Sequence, residues 1–171
     1  MADVVPERIA WAVKTLAVDP GDRLLEIGGG PGVAAALVCE RLDHGRLLLI
    51  DRSATAIDRT RVRNLGQVAS GQLVLETVDL ADFDPGEERF DKVFAVNVNL
   101  FWTTPATEEL ARIRRALDHD GRLFLFYETP SAARAGQAVG RVVDALRANG
   151  FTGPQLVSGS TTLVGCVAQL A

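Results

Sequence analysis

The sequence predicts an α/β fold: a single doubly wound, mostly parallel sheet with helices on both faces and an antiparallel C-terminal hairpin. Short apolar runs typical of strands alternate with longer segments of helical periodicity, the order that builds parallel βαβ units. The first apolar run leads directly into a glycine-rich turn. The last two strand-like segments are separated by Ser158-Gly159-Ser160. That connection is too short for a crossover, so it requires antiparallel pairing.

Length and charge limit the class of protein. The 171 residues predict a single domain over residues 1–171, with a helical cover in 1–20 and a Rossmann-like core in 21–171. The net charge of −4 argues against a nucleic-acid partner, because proteins that bind nucleic acids carry a basic surface.

The chain lacks both an apolar run of membrane-spanning length and a signal-peptide core, so we expect no membrane partner and a cytoplasmic location. Cys39 and Cys166 lack the spacing of a metal site, and no metal is expected. The oligomeric state stays open, with a homodimer among the candidates.

The elements follow one another with few breaks. Predicted helices cover residues 5–17, 33–42, 53–66, 104–117 and 131–149, and predicted strands cover residues 24–27, 46–51, 72–78, 90–98, 122–127, 155–157 and 161–169. Ser53 is expected to cap its helix, and Thr104 and Pro105 are expected to begin another. Residues 118–121, Asp-His-Asp-Gly, are expected to end that helix. Residues 80–89 are rich in turn-forming residues and predict a loop without a helix.

The glycine-rich turn is the first functional signal. Gly28, Gly29, Gly30 and Gly32 occupy four of five positions between a strand and a helix. Glycines permit positive φ and a close approach of a ligand to the backbone, and the helix behind them offers unpaired N–H groups. The turn therefore predicts a site for an anionic or strongly polar small molecule. It departs from the dinucleotide fingerprint, because Val33 stands at the third glycine place.

Parallel topology sorts the remaining polar residues onto two edges of the sheet. Ligands of such sheets bind beyond the carboxyl ends of the strands. That edge is expected to carry Glu26, Asp51, Asp79, Asn97 and Tyr127, and the opposite edge His44 and His119. Asp51 comes nineteen residues after the last glycine of the turn, where a carboxylate can accept two ribose hydroxyls. The alternative is a helix-flanking Asp beside the Ser53 cap.

Five segments together resemble the class I, S-adenosylmethionine-dependent methyltransferases. They are residues 24–32 (LLEIGGGPG), 48–51 (LLID), 78–80 (VDL), 90–97 (FDKVFAVN) and 117–123 (LDHDGRL), and the C-terminal hairpin is a hallmark of that fold. The resemblance implies S-adenosyl-L-methionine as the cofactor, with its methionine end held by the turn from Glu26 to Gly32. It implies that Asp51 binds the ribose and that Asp79 and the Leu80 N–H read the adenine. Asn97 would approach the methionine amine through its backbone carbonyl.

The sequence departs from the family pattern at two points. The third crossover lacks a clear helix, and Arg52 stands where many relatives place an apolar residue that packs on the adenine. The planar guanidinium of Arg52 can still stack on that ring. The predicted cofactor-binding residues are Glu26, Gly28, Gly29, Gly30, Gly32, Asp51, Arg52, Asp79, Leu80 and Asn97.

The predicted function is methyl transfer from S-adenosylmethionine to a small-molecule acceptor by in-line displacement. The cofactor carries the reactive group, so no catalytic base is compulsory. The catalytic residues stay unknown, and the candidates on the functional edge are Asn97, Asn99, Trp102, Tyr127 and Glu128. Phe101 and Trp102 either line an acceptor pocket or cover the sheet edge.

Two other functions stay open at this stage. One is a nicotinamide-dependent oxidoreductase, which Val33 and the lack of a second nucleotide-binding half disfavour. The other is a non-catalytic module that binds the cofactor or a partner, which the lack of a large lid insertion leaves open.

Overall fold

A computed structural model describes residues 4–171, so the first three residues of the predicted cover, Asp3 among them, lie outside the described part. One seven-stranded sheet has the order β3-β2-β1-β4-β5-β7-β6. Its strands are β1 (Arg23–Ile27), β2 (Arg46–Asp51), β3 (Leu73–Thr77), β4 (Phe90–Val96), β5 (Leu117–Glu128), β6 (Phe151–Ser158) and β7 (Leu163–Leu170). The neighbours pair in parallel except β5–β7 and β7–β6, which are antiparallel. The predicted fold class is confirmed.

Helices cover both faces of the sheet. They are α1 (Glu7–Leu16), α2 (Val33–Cys39), α3 (Ala54–Arg63), α4 (Leu65–Ala69), α5 (Leu100–Thr103), α6 (Thr107–Ala116) and α7 (Ala132–Ala148). Residues with helical spacing, such as Val13 and Leu16, are buried with α2 against one face. Ile113 and Val142 belong to a second buried cluster on the other face. Among residues 4–171, no helix combines the length and apolar character that a membrane crossing requires.

The strand order creates a crevice at one end of the sheet. From β1 the chain moves outward through β2 to β3, then returns to β4 on the other side of β1. Connections therefore leave β1 and β4 in opposite directions, and ligands of open parallel sheets bind where this happens. The segments that follow β1, β2, β3 and β4 all meet at this crevice.

The segment after β4 differs from the prediction. Thr104 and Pro105 do not begin a helix, because a short helix, α5, comes first and Thr104 is its extended C-cap. Pro105 disfavours helical backbone in the residue before it. The next helix, α6, begins at Thr107 after Ala106, which adopts a left-handed conformation with φ of 48°. The Thr104 hydroxyl accepts from the Ala106 N–H at 3.2 Å.

The helix α6 ends at Ala116, just before Asp118–Gly121, in line with the prediction, but the strand was predicted to begin at Arg122 and this segment already lies within β5. Leu117 pairs with Phe90 and Arg122 pairs with Lys92, so β5 carries three extra residues at this irregularity. Elsewhere the boundaries differ less. The predicted helix 33–42 ends at Cys39, the helix 53–66 breaks into α3 and α4, and the last two strands extend over 151–158 and 163–170. Residues 80–89 form a loop, as predicted.

Candidate functional site

A cavity of about 610 Å³ opens at the carboxyl ends of the central strands. Its walls are formed by Ile27, Gly28, Ile50, Asp51, Arg52, Val78, Asp79, Leu80, Asn97, Val98, Asn99, Leu100 and Glu109. Six of the predicted cofactor residues, from Gly28 to Asn97, therefore line one cavity. Glu109, in the first turn of α6, was not expected there. A drug-sized or nucleoside-sized ligand fits a space of this volume.

The glycine turn approaches this space with its backbone. Gly30 has φ of +54°, and a Cβ atom built on it would meet nothing within 4 Å. Gly32 has φ of +76°, and a Cβ there would lie 2.6 Å from the Thr60 Cγ2. Gly30 therefore faces open space. At position 32 a glycine is required, because any larger residue would collide with Thr60 where α3 packs against the turn. A ligand can reach the backbone at Gly30 without meeting a side chain.

Two buried polar side chains of α3 and its C-cap hold the turn from behind. The Thr60 hydroxyl donates to the Gly30 carbonyl at 2.9 Å. The Asn64 amide donates to the Gly32 carbonyl at 3.1 Å. Both side chains are at most 1% exposed. Arg63 adds a bond from its Nε to the Pro31 carbonyl at 2.9 Å. We call Thr60, Arg63 and Asn64 the α3 clamp.

The α3 clamp was not predicted from the sequence. The signal was available, because Thr60 and Asn64 follow the apolar Ile57 at helical spacing and so share its inward face.

Asp51 connects the turn to the end of β2. One carboxylate oxygen accepts from the Gly30 N–H at 3.2 Å and the other from the Ser53 N–H at 2.9 Å. An ionised carboxylate has about four lone-pair sites, so acceptor capacity remains for a ligand. Asp51 thus flanks α3 and organises the local backbone, as the alternative interpretation has it, and it also lines the cavity, where its binding to a ribose stays a prediction. The Ser53 side chain caps α3, as predicted, by accepting from the Ala56 N–H.

The far wall of the cavity carries Asp79, Leu80 and Glu109. One Asp79 oxygen accepts from the Ala81 N–H at 3.2 Å, which fixes the turn after β3. The Leu80 N–H donates to no acceptor within the described chain, so it is free for a ligand. Arg52 is exposed at the rim. This wall offers carboxylate acceptors and a backbone donor, the groups that match the edge of an adenine ring.

Glu26 lies beneath the turn and is 3% exposed. Its Oε2 has no hydrogen-bond partner among the described residues. Burial, and secondarily the charge of Asp51, raise the pKa of Glu26 to about 8. A buried carboxyl without a partner is destabilising in isolation, and it becomes favourable when a cation or donor binds beside it. The structure thus contains an acid ready to interact with a positively charged ligand group.

Asn97 and Glu128 meet at the ends of β4 and β5. Asn97 has φ of 57°, and its side-chain oxygen accepts from the Glu128 N–H at 2.7 Å. The Glu128 carboxylate pairs with Arg8 of α1 at 3.0 Å. This exposed pair ties the N-terminal helix to the functional edge, in agreement with the idea of a partial cover. Asn97 reaches the cavity, but Glu128 does not line it.

The aromatic candidates are separated from the cavity. Tyr127 is 3% exposed, its hydroxyl has no partner among residues 4–171, and burial raises its pKa well above the usual range. Phe101 is 1% exposed and belongs to the core, so it does not line a pocket. Trp102 is half-buried and lines a second cavity of about 500 Å³ beside α7. Its indole N–H donates to the Asn99 side-chain oxygen at 3.1 Å.

The histidines lie on the opposite edge of the sheet, as predicted. His44 lies beside Gly21, and His119 contacts Asp118 and Asp120 at 2.9 Å each. Neither lines the cavity.

Comparison with known proteins gives a consistent result. A family model described as "Methyltransferase domain" matches residues 25–123, more than half of the chain. The Bacillus subtilis (strain 168) protein YrhH, whose methyltransferase name is itself provisional, is 26% identical over 117 residues. That match covers 68% of this chain and 63% of YrhH.

Solved structures share the fold at low sequence identity. The pyocyanin biosynthetic protein PhzM superimposes with a TM-score of 0.78 at 19% identity, covering 95% of this chain and 55% of PhzM. A geranyl diphosphate methyltransferase, solved in complex with S-adenosylmethionine, superimposes with a TM-score of 0.73 at 14% identity, covering 96% of this chain and 84% of that one. The chain thus spans less than two thirds of YrhH and of PhzM.

Proposed function

Because the chain belongs to the methyltransferase domain family, we propose that it transfers the methyl group of S-adenosylmethionine to a small-molecule acceptor. The observation that carries this proposal is the cavity at the β1–β4 switch point. There an open glycine backbone, the Asp51 carboxylate and the buried, unpartnered Glu26 lie at the same edge of the sheet. This set suits a ligand that has both a ribose and a positively charged end.

In this proposal the cofactor would contact three groups of residues in turn. Asp51 has acceptor capacity left for the ribose hydroxyls, and Asp79 with the Leu80 N–H offers the adenine edge an acceptor and a donor. Glu26 and the turn would hold the methionine end. The bound cofactor supplies an electrophilic methyl group on a sulfonium, so the protein needs to orient the reactants and exclude water.

Asn97 would lie near both the cofactor and the acceptor, because it lines the cavity at the end of β4. Its backbone is left-handed, and its side-chain oxygen accepts from the Glu128 N–H. Alignment of two bound reactants can contribute roughly 7–11 kcal/mol to lowering a barrier. Positioning of the reactants at this edge could therefore lower the barrier substantially without a general base.

A small-molecule acceptor is supported by two observations. The net charge of −4 disfavours a nucleic acid as the substrate. The structural neighbour named as a geranyl diphosphate methyltransferase acts, by its name, on a small molecule. The cytoplasmic location and the single domain stay predictions of the sequence, and the oligomeric state stays open.

Calorimetry with four ligands tests the proposal. We expect S-adenosylmethionine and S-adenosylhomocysteine to bind, and NAD and NADP to show no heat of binding. Tight binding of NAD or NADP with no response to the sulfonium compound would favour the oxidoreductase. Release of S-adenosylhomocysteine in the presence of a panel of small acceptors then separates an enzyme from a non-catalytic module, which would bind the cofactor without turnover.

A further inference from the structure

Glu109 is a carboxylate of the cavity wall that has no partner within the described fold. It lies half-buried in the first turn of α6 and lines the cofactor cavity together with Asp79 and Leu80. Its side chain makes no hydrogen bond or ion pair within residues 4–171. The few polar groups that line a ligand cavity are the ones that fix the orientation of the ligand.

Capping of α6 does not account for Glu109. An acid at the third position of a helix can accept from the backbone N–H of the N-cap residue, here Ala106. That N–H already donates to the Thr104 hydroxyl at 3.2 Å. Glu108 is at least as close to the positive end of the helix, yet it is exposed and does not line the cavity. The position of Glu109 at the cavity therefore requires another explanation.

One face of α6 follows the loop that connects β3 to β4. The Arg112 Nε donates to the Ala81 carbonyl at 3.1 Å, and the Arg115 guanidinium pairs with Asp84 at 3.2 Å. Residues three apart are neighbours on the surface of a helix, so Glu109 begins the row that Arg112 and Arg115 continue. This row covers the crossover that has no helix of its own, the place where the adenine wall was expected to be thin.

The row sets Glu109 beside the turn that is expected to bind adenine. The Ala81 N–H donates to the Asp79 carboxylate at 3.2 Å, while the Ala81 carbonyl accepts from Arg112. Since α6 follows β4 and begins on the side of the cavity, Glu109 precedes Arg112 by about 4.5 Å along the helix axis, towards the cavity. Asp79 and Glu109 therefore approach the same part of the cavity, one from the turn after β3 and the other from α6.

We propose that Glu109 and Asp79 each accept one hydrogen of the 6-amino group of the bound adenine. This inference rests on the proposed function and adds a residue that selects a 6-aminopurine over a 6-oxopurine. The amine has two hydrogens and an ionised carboxylate can only accept, so both acids are satisfied at once. In hypoxanthine a carbonyl oxygen replaces the amine, and both carboxylates would face an acceptor. Such unmatched polar groups weaken binding more than a missing contact does.

Two ligands that differ only in this part of the purine test the proposal. Calorimetry measures the dissociation constants of S-adenosylhomocysteine and S-inosylhomocysteine for wild type and Glu109→Gln. The glutamine keeps the size of the side chain, removes its charge and adds a donor that a 6-oxo group can accept. We expect the variant to bind the adenosyl compound about three- to tenfold more weakly and the inosyl compound more tightly than wild type does. The preference for adenine should fall about tenfold or more.

Glu108→Gln is the matched control, because it removes the same charge from the same turn of α6. Its preference for the adenosyl compound should stay within twofold of wild type. Asp79→Asn should reduce the preference as Glu109→Gln does. An unchanged preference in Glu109→Gln, or equal losses in the Glu108 and Glu109 variants, would overturn the proposal.

Magnetic resonance of the bound ligand detects the contact itself. S-adenosylhomocysteine labelled with ¹⁵N at the 6-amino group should show two separate proton resonances when bound to wild type, since both hydrogens are held. Glu109→Gln should shift one of them, Asp79→Asn the other and Glu108→Gln neither. A single averaged resonance in wild type would contradict the proposal, whatever the stability of the variants.

The proposed function and this inference fail in different ways. If S-adenosylhomocysteine does not bind to wild type, the proposed function is wrong and the inference that rests on it is overturned with it. If it binds, and Glu109→Gln changes neither the preference nor the spectrum, only the role of Glu109 is wrong.

Discussion

At the scale of single residues, Glu26 gives a stability prediction that needs no ligand. Its carboxyl has an ordinary pKa of 4.5 and a pKa of about 8 in the fold, so between these values the folded state binds more protons than the unfolded state. The free energy of unfolding should therefore fall as pH rises through this window, by at most about 1.4 kcal/mol per pH unit. Glu26→Gln removes this dependence and should become more stable than wild type towards pH 8.

Urea unfolding of both proteins at pH 5, 6, 7 and 8 checks this prediction. The exposed acid Glu40, just after α2, supplies the control, and Glu40→Gln should follow the wild-type curve. Parallel curves for wild type and Glu26→Gln would show that Glu26 does not titrate in this range. Glu26→Gln should also bind S-adenosylmethionine more weakly. Glu26 would then lower the free energy of unfolding of the ligand-free protein while strengthening its binding of the cofactor.

At the scale of elements, the α3 clamp should act on cofactor binding through the turn. Thr60→Val keeps the Cγ2 methyl that packs near Gly32 but loses the hydroxyl that holds the Gly30 carbonyl. The Gly30 carbonyl is only partly buried, and a typical intramolecular hydrogen bond contributes about 0.5–1.5 kcal/mol to stability. We expect lower unfolding free energy by this amount and S-adenosylhomocysteine affinity reduced by about threefold or more.

Thr60→Ser provides the matched comparison, because it keeps the donor and loses the methyl group. Calorimetry should find its affinity for S-adenosylhomocysteine near that of wild type. If both variants lose stability while both bind normally, the clamp supports the fold and has no influence on the turn as a binding surface.

The elements also show where sequence reasoning succeeds. The path from β1 through the glycine turn and from β2 to Asp51 was predicted correctly, because apolar runs, glycines and caps are local signals. The extra residues in β5 were not predicted, because their one charged contact across the sheet within residues 4–171, from Asp118 to Arg23 of β1 at 2.8 Å, joins residues far apart in the sequence and leaves no local pattern. Glu109 was missed for a similar reason, since only the tertiary packing of α6 brings it to the cavity.

The buried state of Tyr127 was also beyond the sequence. Its position at the end of β5 was correctly predicted, whereas the helix α5 on the same face was not, because α5 has only four residues and no side-chain cap. Short helices of this kind are stabilised by packing and not by propensity.

At the scale of the whole molecule, the sheet separates a binding edge from a structural edge. Asp51 lies at the first, and His44 and His119 lie at the second, exposed and beside acids. We expect Asp51→Ala to weaken binding of S-adenosylmethionine by about one to two powers of ten, because charge-assisted hydrogen bonds contribute roughly 1.5–3 kcal/mol each. Some loss of stability should accompany it, since the carboxylate also holds the Gly30 and Ser53 N–H groups.

The double variant His44→Ala, His119→Ala tests the other edge with the same measurement. Its affinity for S-adenosylmethionine should stay within twofold of wild type, because neither imidazole lines the cavity and the central strands lie between the two edges. Once an acceptor is found, turnover should stay within a few-fold. A folded double variant that binds the cofactor but has lost turnover would place the chemistry on the edge opposite to the glycine turn. Such a result is incompatible with binding at the carboxyl ends of these strands.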